Sequence, residues 1–88
     1  MRYVTIDCTK LVDEASAHDT FAQALDFPAY YGRNLDALYD LLSTCPATEL
    51  TLANAGAIAD LFRYGDNLML ALRDAERDNP LLTLVVQD

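Results

Sequence analysis

Asp36, Tyr39, Asp40 and Ser43 are the residues of this chain best suited to do chemistry, because on a helix turned at about 100° per residue they share one arc about 100° wide. Two carboxylates four residues apart oppose helix formation by roughly 0.2 to 0.5 kcal/mol, and only Asp36, in the first turn, gains from the positive helix end. Folding alone does not ask for Asp40. Such a face is either a solvated acidic surface or a site for a cation, and spacing leaves both open. Just upstream, Phe27-Pro28-Ala29-Tyr30-Tyr31-Gly32-Arg33-Asn34 sets two tyrosines in a loop. Either both rings cover the core, or one packs while the other offers a rigid, flat surface with a hydroxyl, the combination that suits an interface anchor. Gly32 is expected to supply a positive φ where the loop turns into the helix.

The remaining reactive side chains offer less. His18 is the single histidine, has no nucleophile motif beside it, and is expected on a helix surface. Cys8 and Cys45 lack CxxC spacing and a second histidine to complete a zinc set, so they read as reduced, partly buried thiols. There is no Gly-rich phosphate loop. An enzymatic reading is left with Asp36, Asp40 and Asp74 as ligands for a hard cation such as Mg²⁺. The chain is therefore expected to be no enzyme and to use no cofactor or metal. Fourteen acidic residues against six basic ones give a net charge of −8, which sets the chain against nucleic acid and anionic lipid and favours cations or basic proteins as partners.

These residues need a scaffold, and 88 residues with 52% hydrophobic content suffice for one domain, residues 1–88, with a single core. The N-terminal segment carries no apolar stretch of signal-peptide length, and the run Leu81 to Val86 is far short of the roughly 20 residues that span a bilayer, so a cytoplasmic location is expected. Tyr3 to Ile6, Leu50 to Leu52 and Leu81 to Val86 are β-capable runs, and the near-continuous apolarity of the last suggests a strand covered on both faces. Helix-patterned segments separate them, which calls for parallel strands with right-handed crossovers.

The first helix is expected to open near Ser16 as cap with Asp19 three residues on, to bury Ala17, Phe21 and Leu25, and to end at Pro28. A second opens after Asn34 as cap, gathers Leu35, Leu38, Leu41 and Leu42 on one side, and closes by Pro46. A short helix from Ala55 to Phe62 and a longer one from Asp66, as cap, through Leu68, Leu72 and Ala75 follow, the latter stopped by Asn79-Pro80.

The segment from Phe27 to Leu42, FPAYYGRNLDALYDLL, resembles the barstar family, intracellular inhibitors of secreted bacterial ribonucleases of the barnase type. Its run Pro-x-Tyr-Tyr-Gly-x-Asn-Leu-Asp-Ala-Leu-x-Asp mixes turn, core and surface residues, and the likeness extends more weakly along the whole chain. The resemblance implies a barstar-like α/β fold, a small three-stranded parallel sheet packed by about four helices. It also implies a 1:1 complex with a basic, extracellular-type ribonuclease, whose active site the loop and the second helix plug, and a free chain that is monomeric. Tyr30, Asn34, Asp36, Asp40 and Ser43 fall on the family's contact positions, with Asp40 the central one, and Asp74 matches an acidic position on the last helix. Tyr31 and Tyr39 complete the expected contact set.

Three places depart from the family pattern. Tyr39 stands where the best-known member has Trp, and Arg33 where it has an acid, which would put a cation at the edge of the plug. The loop Thr44-Cys45-Pro46-Ala47-Thr48 lacks that member's Gly-Trp pair, so contacts carried there do not transfer. The alternative is a barstar-like immunity or regulatory protein for a different basic toxin or partner. Homotypic assembly through Tyr30, Tyr31 and Tyr39 is weaker, since facing acidic surfaces repel at low salt.

Overall fold

Side-chain alternation along three short strands sets the architecture. The computed structural model describes residues Met1–Asp88, with strands β1 (Arg2–Asp7), β2 (Thr48–Ala53) and β3 (Leu82–Val86) and helices α1 (Glu14–Leu25), α2 (Leu35–Ser43) and α3 (Phe62–Asp78). Segments Cys8–Lys10 and Ala55–Leu61 are 3-10 helices. The strands are parallel in the order β1-β2-β3, with Tyr3 level with Glu49 and Glu49 level with Thr83. Ile6, Leu50, Leu52, Leu82 and Leu84 are buried, whereas Tyr3, Thr5 and Thr83 between them are exposed, so the helices cover one face of the sheet. This is the expected α/β architecture, a three-stranded parallel sheet packed by helices.

The both-faces reading of the last strand is therefore corrected. β3 is an edge strand with Val86 exposed, and its apolar run serves one face plus the rim. Its edge is not left bare: the Leu84 amide donates to Glu76 Oε2 of α3 at 2.6 Å, which blunts a site for strand addition.

Helix boundaries follow local bonding more closely than proline positions. α1 is capped by Asp13, not Ser16: the Asp13 carboxylate accepts from the Ser16 amide at 2.7 Å and Ser16 Oγ accepts from the Asp13 amide at 3.0 Å, a reciprocal capping box. It stops at Leu25, where Asp26 turns left-handed at φ 54, two residues before Pro28. α2 begins after Asn34 as expected, and its Oδ1 accepts from the Ala37 amide at 2.8 Å.

α3 starts at Phe62, not at Asp66, directly from the 3-10 helix. The cause is a close approach: a Cβ on Gly65 would lie 2.3 Å from the Ile58 carbonyl oxygen, so only glycine lets the two helices fuse there. The junction residue Phe62 takes φ 55, a conformation bulky side chains seldom adopt.

Nineteen buried apolar residues form one core, centred on Phe21, Leu38, Leu42, Leu50, Leu52, Leu68 and Leu72. Both cysteines are buried free thiols, and burial pushes Cys8 up to about 11, which keeps it a thiol at neutral pH. No helix is long and apolar enough to cross a membrane.

Gly65→Ala is expected to cost at least about 1 to 3 kcal/mol, the range for overpacking, because the obstructing atom is backbone and cannot swing aside. Urea unfolding would show it as a lower midpoint at unchanged slope.

Candidate functional site

α2 presents its acidic face because its apolar face is committed. Leu38 and Leu42 are fully buried, Tyr39 and Ser43 are half-buried, and Asp36 and Asp40 are exposed. Neither Asp36 nor Asp40 uses its carboxylate in an ion pair or hydrogen bond within the chain. The backbone carbonyl of Asp40 accepts from Ser43 Oγ at 3.0 Å and Thr44 Oγ1 at 3.1 Å, so both hydroxyls steady the helix end.

Two concavities border the acidic residues of this helix. On one side lies an open groove of about 390 Å³ between α2 and α3, walled by Leu35, Asp36, Tyr39, Leu70, Asp74 and Arg77. On the other lies a mostly apolar hollow of about 210 Å³ formed by Tyr30, Tyr31, Gly32, Ala37, Asp40 and Leu41. Asp36 thus faces one concavity and Asp40 the other. Asp36, Asp40 and Asp74 form no three-ligand cluster able to hold a metal.

The loop before α2 divides its two tyrosines. Tyr30 is 82% exposed, while Tyr31 is buried with its ring 4.8 Å from that of Phe27. The Tyr31 hydroxyl lies 2.6 Å from His18 Nδ1, and the Tyr64 hydroxyl lies 2.6 Å from His18 Nε2. Tyr31, included in the contact set on sequence grounds, therefore sits inside, packed on Phe27 and bonded to His18, while Tyr30 stays outside.

His18 is corrected from a surface residue to a buried one, 3% exposed, bridging loop and α3. A neutral imidazole donates to one of these hydroxyls and accepts from the other, which satisfies both without a charge. Burial, helped by the Arg33 cation, holds His18 below its usual 6.5 against the opposing pull of Glu14 and Asp19. Burial also pushes the Tyr31 hydroxyl up to about 12.

The turn into α2 differs from expectation in one residue. No glycine has a positive φ; Arg33, at φ 56, makes the left-handed step. Gly32 sits in a tight fit instead, since a Cβ there would meet Ala37 Cβ at 3.2 Å and the neighbour would have to give by a few tenths of an ångström. The Arg33 guanidinium pairs with Asp19 and donates to the Ala15 carbonyl at 3.3 Å. It is tied back to α1 and does not stand free at the edge of the acidic face. Asn34 spends its side chain on the helix cap and on the Gly32 carbonyl at 3.3 Å.

On α3, Asp74 pairs with Arg77 at 3.2 Å, and the Tyr39 hydroxyl donates across the groove to Asp78. Leu70, Arg77 and Asp78 escaped the sequence reading. Leu70 was within reach of it: the rotation that puts Leu68, Leu72 and Ala75 on the buried stripe places this large apolar residue about 200° away, among polar neighbours.

Fold and site together define a small α/β protein whose parallel sheet carries, on one face, an acidic helix set between a tyrosine-bearing loop and a helical groove. The chain belongs to the barstar family, whose profile, described as "Barstar (barnase inhibitor)", matches residues 1–87. It is 35% identical over 81 residues, 89% of either chain, to a protein of Bacillus subtilis (strain 168) named "Putative ribonuclease inhibitor YrdF".

The buried His18 predicts a pH dependence with a defined sign. Its folded midpoint lies below the unfolded one, so the unfolded chain takes the proton first; the stability His18 contributes is whole above about pH 6.5 and drains as pH falls through that value toward the folded midpoint. Urea unfolding followed from about pH 8 to about pH 5 should show this decline. In His18→Gln the slope in that window should vanish. The lowered carboxylates Asp7, Asp13 and Asp78 act below their ordinary 3.8, outside it.

Proposed function

We propose that this chain is an intracellular inhibitor that plugs the cationic active site of a barnase-type ribonuclease with α2 and the Tyr30 loop. The observation that carries the reading is the Asp40 carboxylate, exposed and without an internal partner at the mouth of an apolar hollow under Tyr30. A ribonuclease gathers Lys, Arg and His around the scissile phosphate to stabilise developing negative charge, and such a pocket attracts any well-placed anion. A carboxylate fills it and is not cleaved.

Asp40 takes the place of the phosphate. The hollow beside it is of a size and polarity to receive an imidazole ring, over which Tyr30 lies. Asp36 and Asp74 meet basic groups at the rim, with Tyr39 and Ser43 between them, while Tyr31 and Asn34 hold the loop and the helix start in place. The charge of −8 speeds encounter with a basic enzyme and makes the association rate fall with salt. The complex is 1:1, the free chain is a monomer in the cytoplasm, and it catalyses nothing itself.

The same face would suit another basic toxin. Tyr39, which replaces a Trp of the best-known family member, is a position at which the choice would be retuned, whereas Arg33, which replaces an acid, is turned away to Asp19.

Titration of a barnase-type ribonuclease with the purified chain should give stoichiometric inhibition. Asp40→Ala should weaken binding by about 2 kcal/mol or more, about thirty-fold in Kd, and by more than Asp36→Ala or Asp74→Ala, because a central desolvated charge outweighs rim charges. Its thermal stability should hold or rise slightly as the like-charge pair is relieved. Equal binding by Asp40→Ala and the parent would sink the plug; no inhibition by the parent would move the target to another basic protein.

A further inference from the structure

Asp74, the acid on the α3 wall of the groove, is already occupied. Arg77 Nη1 lies 3.2 Å from Asp74 Oδ1, one turn back on the helix, while its Nε lies 3.2 Å from Asp78 Oδ1 and its Nη2 3.4 Å from Asp78 Oδ2. Asp78 also accepts the hydroxyl of Tyr39 from α2. Tyr39, Asp78, Arg77 and Asp74 thus form one string of side chains across the groove, with Arg77 the single cation lining it. Asp36, on the opposite wall, has no such partner. The two rim acids are chemically different: one is available, the other is engaged.

We propose that Arg77 is an internal counter-ion that determines specificity at this rim, holding Asp74 in the free protein so that a partner reaches it only by displacing or sharing the guanidinium. This rests on the reading of the face as one that binds a basic partner. Arg77 offers five donors and keeps its charge at every physiological pH, so it cannot be switched off by titration; it must be moved or given a second acceptor. A partner that brings only a cation to this spot meets repulsion from Arg77 and competes for a carboxylate in use. A partner that brings a carboxylate or a backbone carbonyl beside its cation gives Arg77 an acceptor and releases Asp74. The groove therefore ranks basic partners by what accompanies the charge, which a bare acidic rim would not do.

The pair is exposed, so its leverage is a matter of a few-fold and falls mainly on the rate of association. Arg77→Gln keeps the aliphatic stem in part and two of the five N–H donors, and removes the charge. Against a barnase-type ribonuclease at low salt it should raise the association rate about two- to five-fold, a gain that shrinks as salt screens it. Arg73→Gln removes the same charge from the same helix at a residue that makes no ion pair, and should give a smaller gain. Asp74→Asn should cost more affinity in the Arg77→Gln background than in the parent. Equal gains from the two arginine variants, or additive effects of Asp74→Asn and Arg77→Gln, would overturn the proposal.

A measurement on the chain alone separates this outcome from failure of the plug reading. In an Asp78→Asn background, which leaves Asp74 as the carboxylate partner of the guanidinium, rotation of the Arg77 guanidinium followed by nitrogen NMR without any partner should be slower than in the Asp74→Asn, Asp78→Asn double variant. If the rate is the same in both, Arg77 does not hold Asp74 and the inference fails whatever the partner. If it differs while no ribonuclease is inhibited, the counter-ion stands and the plug reading is the part that falls.

Discussion

A parallel sheet laid down in the order β1-β2-β3 steps twice in the same direction, and two crossovers of the same hand that step the same way must pass over the same face. Everything else follows from that constraint. All three α-helices are crowded onto one side of three short strands, so they have to share the cover. α1 packs on β1 and α3 on β3, and α2 finds its main neighbour in α3. A helix placed in this way buries a narrow stripe, here Leu38 and Leu42, and keeps most of its circumference for solvent or for a partner. The groove between α2 and α3 and the hollow under Tyr30 are the two flanks of that outlying helix.

An outlying helix needs to be held, and the chain does so with buried polar groups. Asn79 Nδ2, just past α3, donates to the Leu42 carbonyl at 2.8 Å and the Cys45 carbonyl at 3.2 Å, and its Oδ1 accepts from the Leu81 amide at 3.0 Å. Helix C-termini leave carbonyls without partners, and burying them unpaired costs about 1 to 3 kcal/mol each, so one buried amide secures α2, the turn that follows it and the entry to β3 together. At the other end His18 joins the Tyr31 loop to Tyr64 on α3, and Arg33 joins the same loop to Asp19 on α1. The exposed Tyr30 and Asp40 are thereby set on a frame fixed at several points. Fixing them beforehand spares a binding event the ordering of loop and helix.

The elements were legible where one physical signal dominated. Strand positions came from apolar runs, and the start of α2 from Asn34, whose side chain has no better use than the cap. Legibility failed where two signals competed. Asp13 and Ser16 are both capping residues and form one box, so choosing Ser16 as the cap moved the start of α1 by three residues. Asp66 looked like a cap because the dense contact of Ile58 with Gly65, which continues the helix back to Phe62, is tertiary and leaves no local mark. His18 looked exposed for the same reason, since its two hydroxyl partners lie 13 and 46 residues away. The acidic arc of α2 was readable from helical rotation alone, but the proposal that it is a contact face draws on resemblance.

With eight more acids than bases, most carboxylates in this chain must go without a cation of their own, so an unpaired aspartate is by itself weak evidence of function. Where the few cations are spent is more telling. Arg2 reaches the Leu25 carbonyl and Thr48, Arg33 turns to Asp19, and Arg77 serves Asp74 and Asp78. Each ties structure or trims the rim of the groove, and none is placed on Asp36 or Asp40. A helix selected for stability alone would not keep two like charges four residues apart beside an apolar hollow and an exposed tyrosine, with a guanidinium one residue upstream of its cap turned to another helix. The cost of that arrangement is small in the free protein, and a surface that supplied the missing positive charge would recover it.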